Sequence, residues 1–233
     1  MRITSGKYKG RIIKMPKGIR PTQDKVRKAL FDILGDIKGL SFLDLFAGSG
    51  AIGFEAISRG ITDLAIVEDN WDCLPIIKKN IESLGLKNCT FCPTQAEKAI
   101  KDFHKHKRRF DIIFLDPPYY RPEGHGLASD KPEGNGLASF GQSHSQSHKG
   151  MVPRPYDKLN NRGSGLADAT LNDSLAKKTL QILGAYDILA PNGFIIIQHF
   201  KKDILPDEAG DLKLFRQSKY GDTVLSFYKI CAK

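Results

Sequence analysis

Residues 41–59 read SFLDLFAGSGAIGFEAISR, and this stretch decides the fold. Its first residues, Ser41 to Phe46, form an apolar run of strand length. The glycines at 48, 50 and 53 then break the pattern, and Ala51 to Arg59 has the composition of a helix. Gly48-Ser-Gly-Ala-Ile-Gly53 satisfies G-x-G-x-x-G between strand and helix, and Glu68 follows Gly48 by 20 residues at the end of the next apolar run. Such a unit binds an adenosine ribose. Glycines let the backbone approach the ligand, and the carboxylate on the second strand accepts hydrogen bonds from the ribose hydroxyls.

The same alternation extends outward. LAIVE (64–68) precedes a helical stretch from Trp71 to Leu84, TFC (90–92) precedes Ala96 to Lys105, and FDIIFLD (110–116) follows. After an interruption come a helical stretch from Leu175 to Ala190, then GFIIIQHF (193–200), LKLFRQ (212–217) and TVLSFYKI (223–230). Strand, helix and strand in series predict right-handed βαβ crossovers, and so an α/β fold with a mostly parallel seven-stranded sheet. The last two strands, joined through Lys219-Tyr-Gly-Asp222, close it as an antiparallel C-terminal hairpin. Upstream, Val26, Ala29, Leu30, Ile33 and Leu34 mark an amphipathic helix with Thr22 as its candidate N-cap.

The 36 basic and 26 acidic residues give a net charge of +10, and its distribution is lopsided. Ten basic side chains and one acid, Asp24, fall in the first 30 residues, while the remaining chain is nearly neutral. RITSGKYKGRIIKMPKG (2–18) interleaves that charge with Ile3, Tyr8, Ile12 and Ile13 and is punctuated by Gly6 and Gly10, as in a basic β-hairpin extension. This is the footprint of a polyanionic partner. Arg2, Lys7, Lys9, Arg11, Lys14 and Arg20 are the candidate contacts to that polyanion.

The interruption, 121–170, holds 21 Gly, Pro, Ser or Asn among 50 residues and repeats PEGHGLAS (122–129) as PEGNGLAS (132–139). It is too polar to bury a core and reads as a disordered insertion. The expected organisation is therefore a basic hairpin (1–19), a catalytic domain (20–120 and 171–233) and the insertion (121–170). Four cysteines and no signal-like apolar segment predict a reduced cytoplasmic protein, and no apolar stretch has membrane-spanning length. Cys89-x-x-Cys92 lacks a second pair at zinc-binding spacing, so no metal is expected.

Three features favour S-adenosylmethionine over a dinucleotide. Asp44 places a carboxylate just before the loop, where a pyrophosphate is repelled but a sulfonium and an ammonium are tolerated. Phe46 and Ala47 make the start of the loop bulkier than a pyrophosphate turn. Asp116-Pro-Pro-Tyr119 closes the fourth strand, at the sheet edge where open α/β folds bind ligands. The exocyclic amine of a base has two N–H donors and a lone pair conjugated into the ring. The Asp116 carboxylate and the Pro117 carbonyl, held rigid by Pro118, can accept both hydrogens and steer the lone pair to a methyl donor. Tyr119 offers a face on which a flipped base stacks.

Together MRITSGKYKGRIIKMP, RPTQDKVRKALFDIL, FLDLFAGSGAIGFEAISRG, VEDN, FDIIFLDPPY and KYGDTVLSFYK resemble the bacterial 16S ribosomal RNA guanine-N2 methyltransferases, Rossmann-like class I enzymes that use S-adenosylmethionine. The resemblance implies that Asp44, Phe46, Gly48, Ser49 and Gly50 hold the methionine part of the cofactor and that Glu68 holds the ribose. Arg20-Pro-Thr22 would close over the methionine end, and Asp116 to Tyr119 would hold the target guanine. Where the family presents Asp or Asn followed by Ala to the adenine amine, this chain reads Pro93-Thr-Gln-Ala96, and Gln95 accepts the same hydrogen bond through its side-chain oxygen. The implied partner is 16S ribosomal RNA in a 30S subunit or its assembly intermediate, met by a monomer.

Two alternatives stand beside this reading. A DNA adenine-N6 methyltransferase uses the same Asp-Pro-Pro-Tyr geometry, but about 183 structured residues leave no room for a target-recognition domain. A noncatalytic RNA-binding protein needs neither the glycine loop nor Asp116 to Tyr119.

Overall fold

The computed structural model describes residues 1–16, 24–118 and 174–231, which lie within one compact unit. Its elements in chain order are α1 (Asp24–Leu34), β1 (Ser41–Leu45), α2 (Ala51–Ser58), β2 (Asp63–Glu68), α3 (Leu74–Leu84), β3 (Cys89–Pro93), α4 (Ala96–Lys105) and β4 (Phe110–Leu115). Then follow α5 (Leu175–Ala185), β5 (Leu189–Phe200), β6 (Glu208–Ala209), β7 (Leu212–Tyr220) and β8 (Thr223–Ile230). They build a single sheet in the order β3-β2-β1-β4-β5-β8-β7-β6, with the first five strands parallel and the last three antiparallel. No described helix is long and apolar enough to cross a membrane.

The alternation of strand side chains divides the core into two layers. Phe42, Leu64, Ile66, Ile112, Phe114 and Ile196 face α1, α2 and α3. Leu43, Leu45, Val67, Ile113, Leu115 and Ile197 face α4 and α5. Because the strand order reverses between β1 and β4, the carboxyl ends of β2, β1, β4 and β5 open onto one crevice edge.

The sheet has eight strands rather than the expected seven. The extra strand is β6, two residues that pair with β7 through Glu208↔Lys213 and Ala209↔Leu212. It is seated by a close backbone approach: a Cβ on Gly184 would lie 2.3 Å from the Ala209 carbonyl oxygen, so only glycine lets α5 reach it. The helix expected to run to Ala190 stops at Ala185, because Leu189 already pairs with Phe110 in the sheet. The expected β7–β8 hairpin is present, turning at Gly221 with φ 63°.

The N-terminal hairpin is reduced to one antiparallel bridge, Arg2↔Ile12, flanked by Ile3 N–H to the Arg11 carbonyl at 3.0 Å and Ile13 N–H to the Met1 carbonyl at 2.7 Å. It is nevertheless part of the core. Ile3 and Ile13 are 2% and 1% exposed in the layer under α1, α2 and α3. Glu55 of α2, wholly buried, accepts from Thr4 N at 2.8 Å, Thr4 Oγ1 at 2.6 Å and Arg59 Nε at 2.9 Å. Ser58 Oγ accepts from Tyr8 N at 2.9 Å. Glu55→Leu strands the two Thr4 donors and leaves the Arg59 guanidinium without its carboxylate. It is expected to lower stability by about 2 kcal/mol, with faster hydrogen exchange at the Thr4 amide. Unchanged exchange would show that Glu55 does not hold the arm.

Candidate active site

The site begins where β1 gives way to α2. Phe46 (φ 61°), Gly48 (φ 57°) and Gly50 (φ 79°) occupy the left-handed region, so the chain reverses within five residues to enter the helix. A non-glycine residue there costs on the order of 1–3 kcal/mol, a strain characteristic of ligand loops. A Cβ on Gly48 would meet nothing within 4 Å, so the loop is open on that side. Gly53 is tight instead: its Cβ would lie 3.0 Å from Leu64 Cδ1 and 3.2 Å from Asp44 Oδ2.

Asp44 is 1% exposed and accepts the Gly53 N–H through Oδ2 at 3.0 Å. Burial pushes its carboxyl up to about 8; the Gly53 N–H opposes this, and the charges of Asp116 and Glu68 add to it. A positive group placed beside it would restore the carboxylate, which is what the ammonium and sulfonium of S-adenosylmethionine would supply.

Glu68 ends β2 and is tied down by three backbone donors. Gly48 N donates to Oε2 at 2.6 Å, and Asp69 N and Asn70 N donate to Oε1 at 3.0 and 2.9 Å. Burial raises its pKa, and the N–H groups of Asn70, Gly48 and Asp69 oppose that rise. A carboxylate accepts about four hydrogen bonds, so room remains for a ribose hydroxyl. The bond to Gly48 also fixes the end of β2 to the glycine loop.

Asp116 follows β4, one strand over, where Leu45↔Leu115 and Leu115↔Ile197 set the register. It is half-buried, Pro117 is buried and Pro118 is exposed. Neither proline has an N–H, so the chain leaves the sheet here. Gln198 of β5, 6% exposed, donates from Nε2 to Asp116 Oδ2 at 2.9 Å. By strand parity Asp44, Glu68, Asp116 and Gln198 all lie on the α1–α3 face at the carboxyl edge of four adjacent strands.

Ser49 and Gly50 are buried in the loop, and the Ser49 carbonyl accepts from Asn80 Nδ2 at 3.1 Å. Gln95 sits at the start of α4 just past β3, exposed and extended (φ −63°, ψ 145°) on the same edge. Thr22, Arg20 and Tyr119 lie outside the described residues.

Arg2, Lys7, Lys9, Arg11 and Lys14 are all exposed. The Lys7 ammonium lies 5.3 Å from the centre of the Tyr8 ring, and Arg11 donates to the Ser83 carbonyl at the end of α3. Asn80, fully buried on α3, accepts from Lys14 N at 2.9 Å and donates to the Lys14 carbonyl at 3.0 Å. The same side chain therefore joins the basic arm to the glycine loop.

Asn80, Gln198 and Glu55 escape a motif reading, though each leaves a trace. Asn80 falls on the apolar face set by Ile77 and Leu84, and Gln198 follows the run Phe194-Ile-Ile-Ile197 in a buried strand. Glu55 is the one charge in an otherwise uncharged helix, AIGFEAIS. A polar residue where burial is expected must have a partner.

Comparison with known proteins places the chain in a family. A family described as conserved hypothetical protein 95 matches residues 1–127. YlbH of Bacillus subtilis, provisionally named an rRNA methyltransferase, is 30% identical over 233 residues, covering 98% of each chain. The Escherichia coli protein named ribosomal RNA small subunit methyltransferase D is 34% identical over 124 residues, which span 52% of this chain and 61% of that protein. Among solved structures, a hypothetical protein of Thermus thermophilus superposes with a TM-score of 0.67 over 99% of both chains at 24% identity. A provisionally named methyltransferase, SMU.776, solved in complex with SAH, superposes at 0.55 over 91% of this chain and 50% of its own at 18% identity. At such identities these two bear on the fold, which is that of the class I methyltransferases. With the family profile running from the basic hairpin through the glycine loop to the Asp-Pro-Pro turn, and one relative aligned end to end, the chain belongs to the conserved hypothetical protein 95 family.

Proposed function

We propose that this chain is an RNA methyltransferase that uses S-adenosylmethionine to methylate the exocyclic N2 amine of a guanine in 16S ribosomal RNA. It acts as a cytoplasmic monomer on a 30S subunit or assembly intermediate. The observation that carries this reading is the row of carboxylates along one sheet edge. Asp44 and Glu68 flank the open glycine loop, and Asp116 stands one strand away at the Asp-Pro-Pro turn. The names of the relatives supply the class of substrate.

When bound, S-adenosylmethionine supplies an electrophilic methyl group on a sulfonium. Glu68 holds the ribose, Gln95 meets the adenine amine, and Asp44 with the loop from Phe46 to Gly50 receives the methionine end, closed by Thr22. Asp116 and the Pro117 carbonyl accept the two N–H groups of the guanine amine and aim its lone pair at the methyl carbon, while Tyr119 stacks on the base. Transfer would form the N–C bond as the C–S bond breaks, and Asp116 or water would take up the amine proton. The hairpin 1–19 grips RNA phosphates for the domain formed by 20–120 and 171–233. The 121–170 insertion, outside the described residues, departs just after Tyr119.

The test is to incubate the protein with tritiated S-adenosylmethionine and 30S subunits lacking the modification, naked 16S RNA, or DNA. Label is expected in the ribosomal RNA as N2-methylguanine. Label confined to DNA would mean an adenine-N6 enzyme, and neither label nor cofactor binding would mean a noncatalytic RNA-binding protein.

The arm has its own readout. Arg11 is committed to Ser83, so the electrostatic grip is best removed at Lys7, Lys9 and Lys14. Replacing all three by alanine is expected to weaken RNA binding and flatten the slope of log affinity against log salt by roughly two to three units, close to one per lost phosphate contact. An unchanged slope would place the RNA elsewhere.

A further inference from the structure

We propose that Gln198 is a positioning residue for methyl transfer, orienting the Asp116 carboxylate toward the target amine. The inference rests on the reading of Asp116 given above and extends it to a residue on a different strand, 82 positions later in the chain.

The fold does not explain a glutamine at this position. The neighbouring side chains on its face of β5 are Phe194 and Ile196, and Gln198 is itself buried, so leucine or methionine would serve packing better. The side chain nevertheless buries an amide. Nε2 donates to Asp116 Oδ2 at 2.9 Å, and because the carboxylate oxygen takes the N–H side, Oε1 turns inward. There Oε1 is buried and has no partner among the described residues. A buried acceptor without a partner is rare in native structures and calls for a reason. The amide tolerates that loss on one side in order to reach Asp116 on the other.

The neighbouring residue separates this contact from general stabilisation of the sheet. His199 points to the opposite face, where its Nε2 meets Ser226 Oγ at 2.7 Å in a network that also includes Gln217. Gln198 takes no part in it. Asp116 stands where the chain leaves β4, and its N–H reaches the Leu45 carbonyl at 3.5 Å. A donor fixed on rigid β5 sets the carboxylate plane, and a misaligned acceptor loses rate without losing binding.

The test compares wild type with Gln198→Leu and Gln198→Met in multiple-turnover labelling of 30S particles lacking the modification, with affinity for S-adenosylhomocysteine measured in parallel. Methionine keeps chain length and volume, so it separates the lost donor from lost packing. The expected result is a fall in kcat on the order of tenfold in both variants, with KM for the particle and cofactor affinity within about twofold. In the Asp116→Asn background the loss from Gln198→Leu should shrink, because residues acting as a unit do not add. A kcat equal to wild type in Gln198→Met, a loss carried entirely by KM or cofactor affinity, or strict additivity with Asp116→Asn would each overturn the proposal. Failure of the wild-type protein to label any RNA would instead overturn the parent reading.

Discussion

Replacing Asp116 by alanine is expected to reduce methyl transfer to 30S particles by on the order of 10²- to 10³-fold, while affinities for S-adenosylhomocysteine and RNA stay close to wild type. The side chain is half-buried at the end of β4, so the protein survives its loss. What the variant leaves behind is the Gln198 amide without its acceptor, at a cost of about 1–3 kcal/mol in stability. Transfer fails for a different reason. The lone pair of a guanine amine is delocalised into the ring, and an acceptor that strengthens its hold as the nitrogen becomes tetrahedral acts only in the transition state, so its removal appears in kcat. Single-turnover labelling alongside calorimetry of S-adenosylhomocysteine makes the distinction. Retained turnover would refute the role of Asp116, and a parallel loss of cofactor affinity would move it to the cofactor half of the site.

The contrast between Asp116 and Gln198 shows what sequence can and cannot reveal. Asp116, the two prolines and the glycine loop are legible because the chemistry is carried by consecutive residues at a strand end. Gln198, Asn80 and Glu55 act on partners 82, 31 and 51 positions away, and only the sheet register and helix packing bring those pairs together. The same limit applies to the fold. The parallel strands and α4, found at Ala96–Lys105 as its periodicity predicts, follow from local pattern. β6 has two residues and no period to detect; it exists because Gly184 and Gly210 let two backbones touch. The helical pattern past Ala185 continues through Tyr186 and Leu189, so only pairing of Leu189 with Phe110 ends it. The basic arm is likewise readable as charge, whereas its attachment to α2 and α3 through Glu55, Ser58 and Asn80 is not.

Asp44 carries the other large expectation, that cofactor affinity climbs with pH. Its carboxyl lies at about 8 in the free protein, so at pH 7 it is mostly neutral, whereas a bound sulfonium and ammonium favour the carboxylate. Binding below pH 8 therefore releases up to one proton, and affinity should rise by up to about tenfold per unit between roughly pH 6 and 8 before levelling. Calorimetry of S-adenosylhomocysteine, which keeps the ammonium, in buffers of different ionisation enthalpy counts that proton. Asp44→Asn can still accept the Gly53 N–H, but it should bind more weakly, release no proton and lose the pH dependence. Stability moves the opposite way. A carboxyl raised from 3.8 to about 8 by folding contributes stability that is fully present below pH 4 and lost as pH rises through 8. The linkage amounts to on the order of 5 kcal/mol. Free Asp44→Asn should accordingly melt higher than wild type at pH 8.5, and the two should converge at pH 4. Wild-type affinity independent of pH, or a proton count of zero at pH 7, would overturn the proton linkage, and an Asp44→Asn variant that binds as tightly as wild type would remove Asp44 from the methionine end of the site.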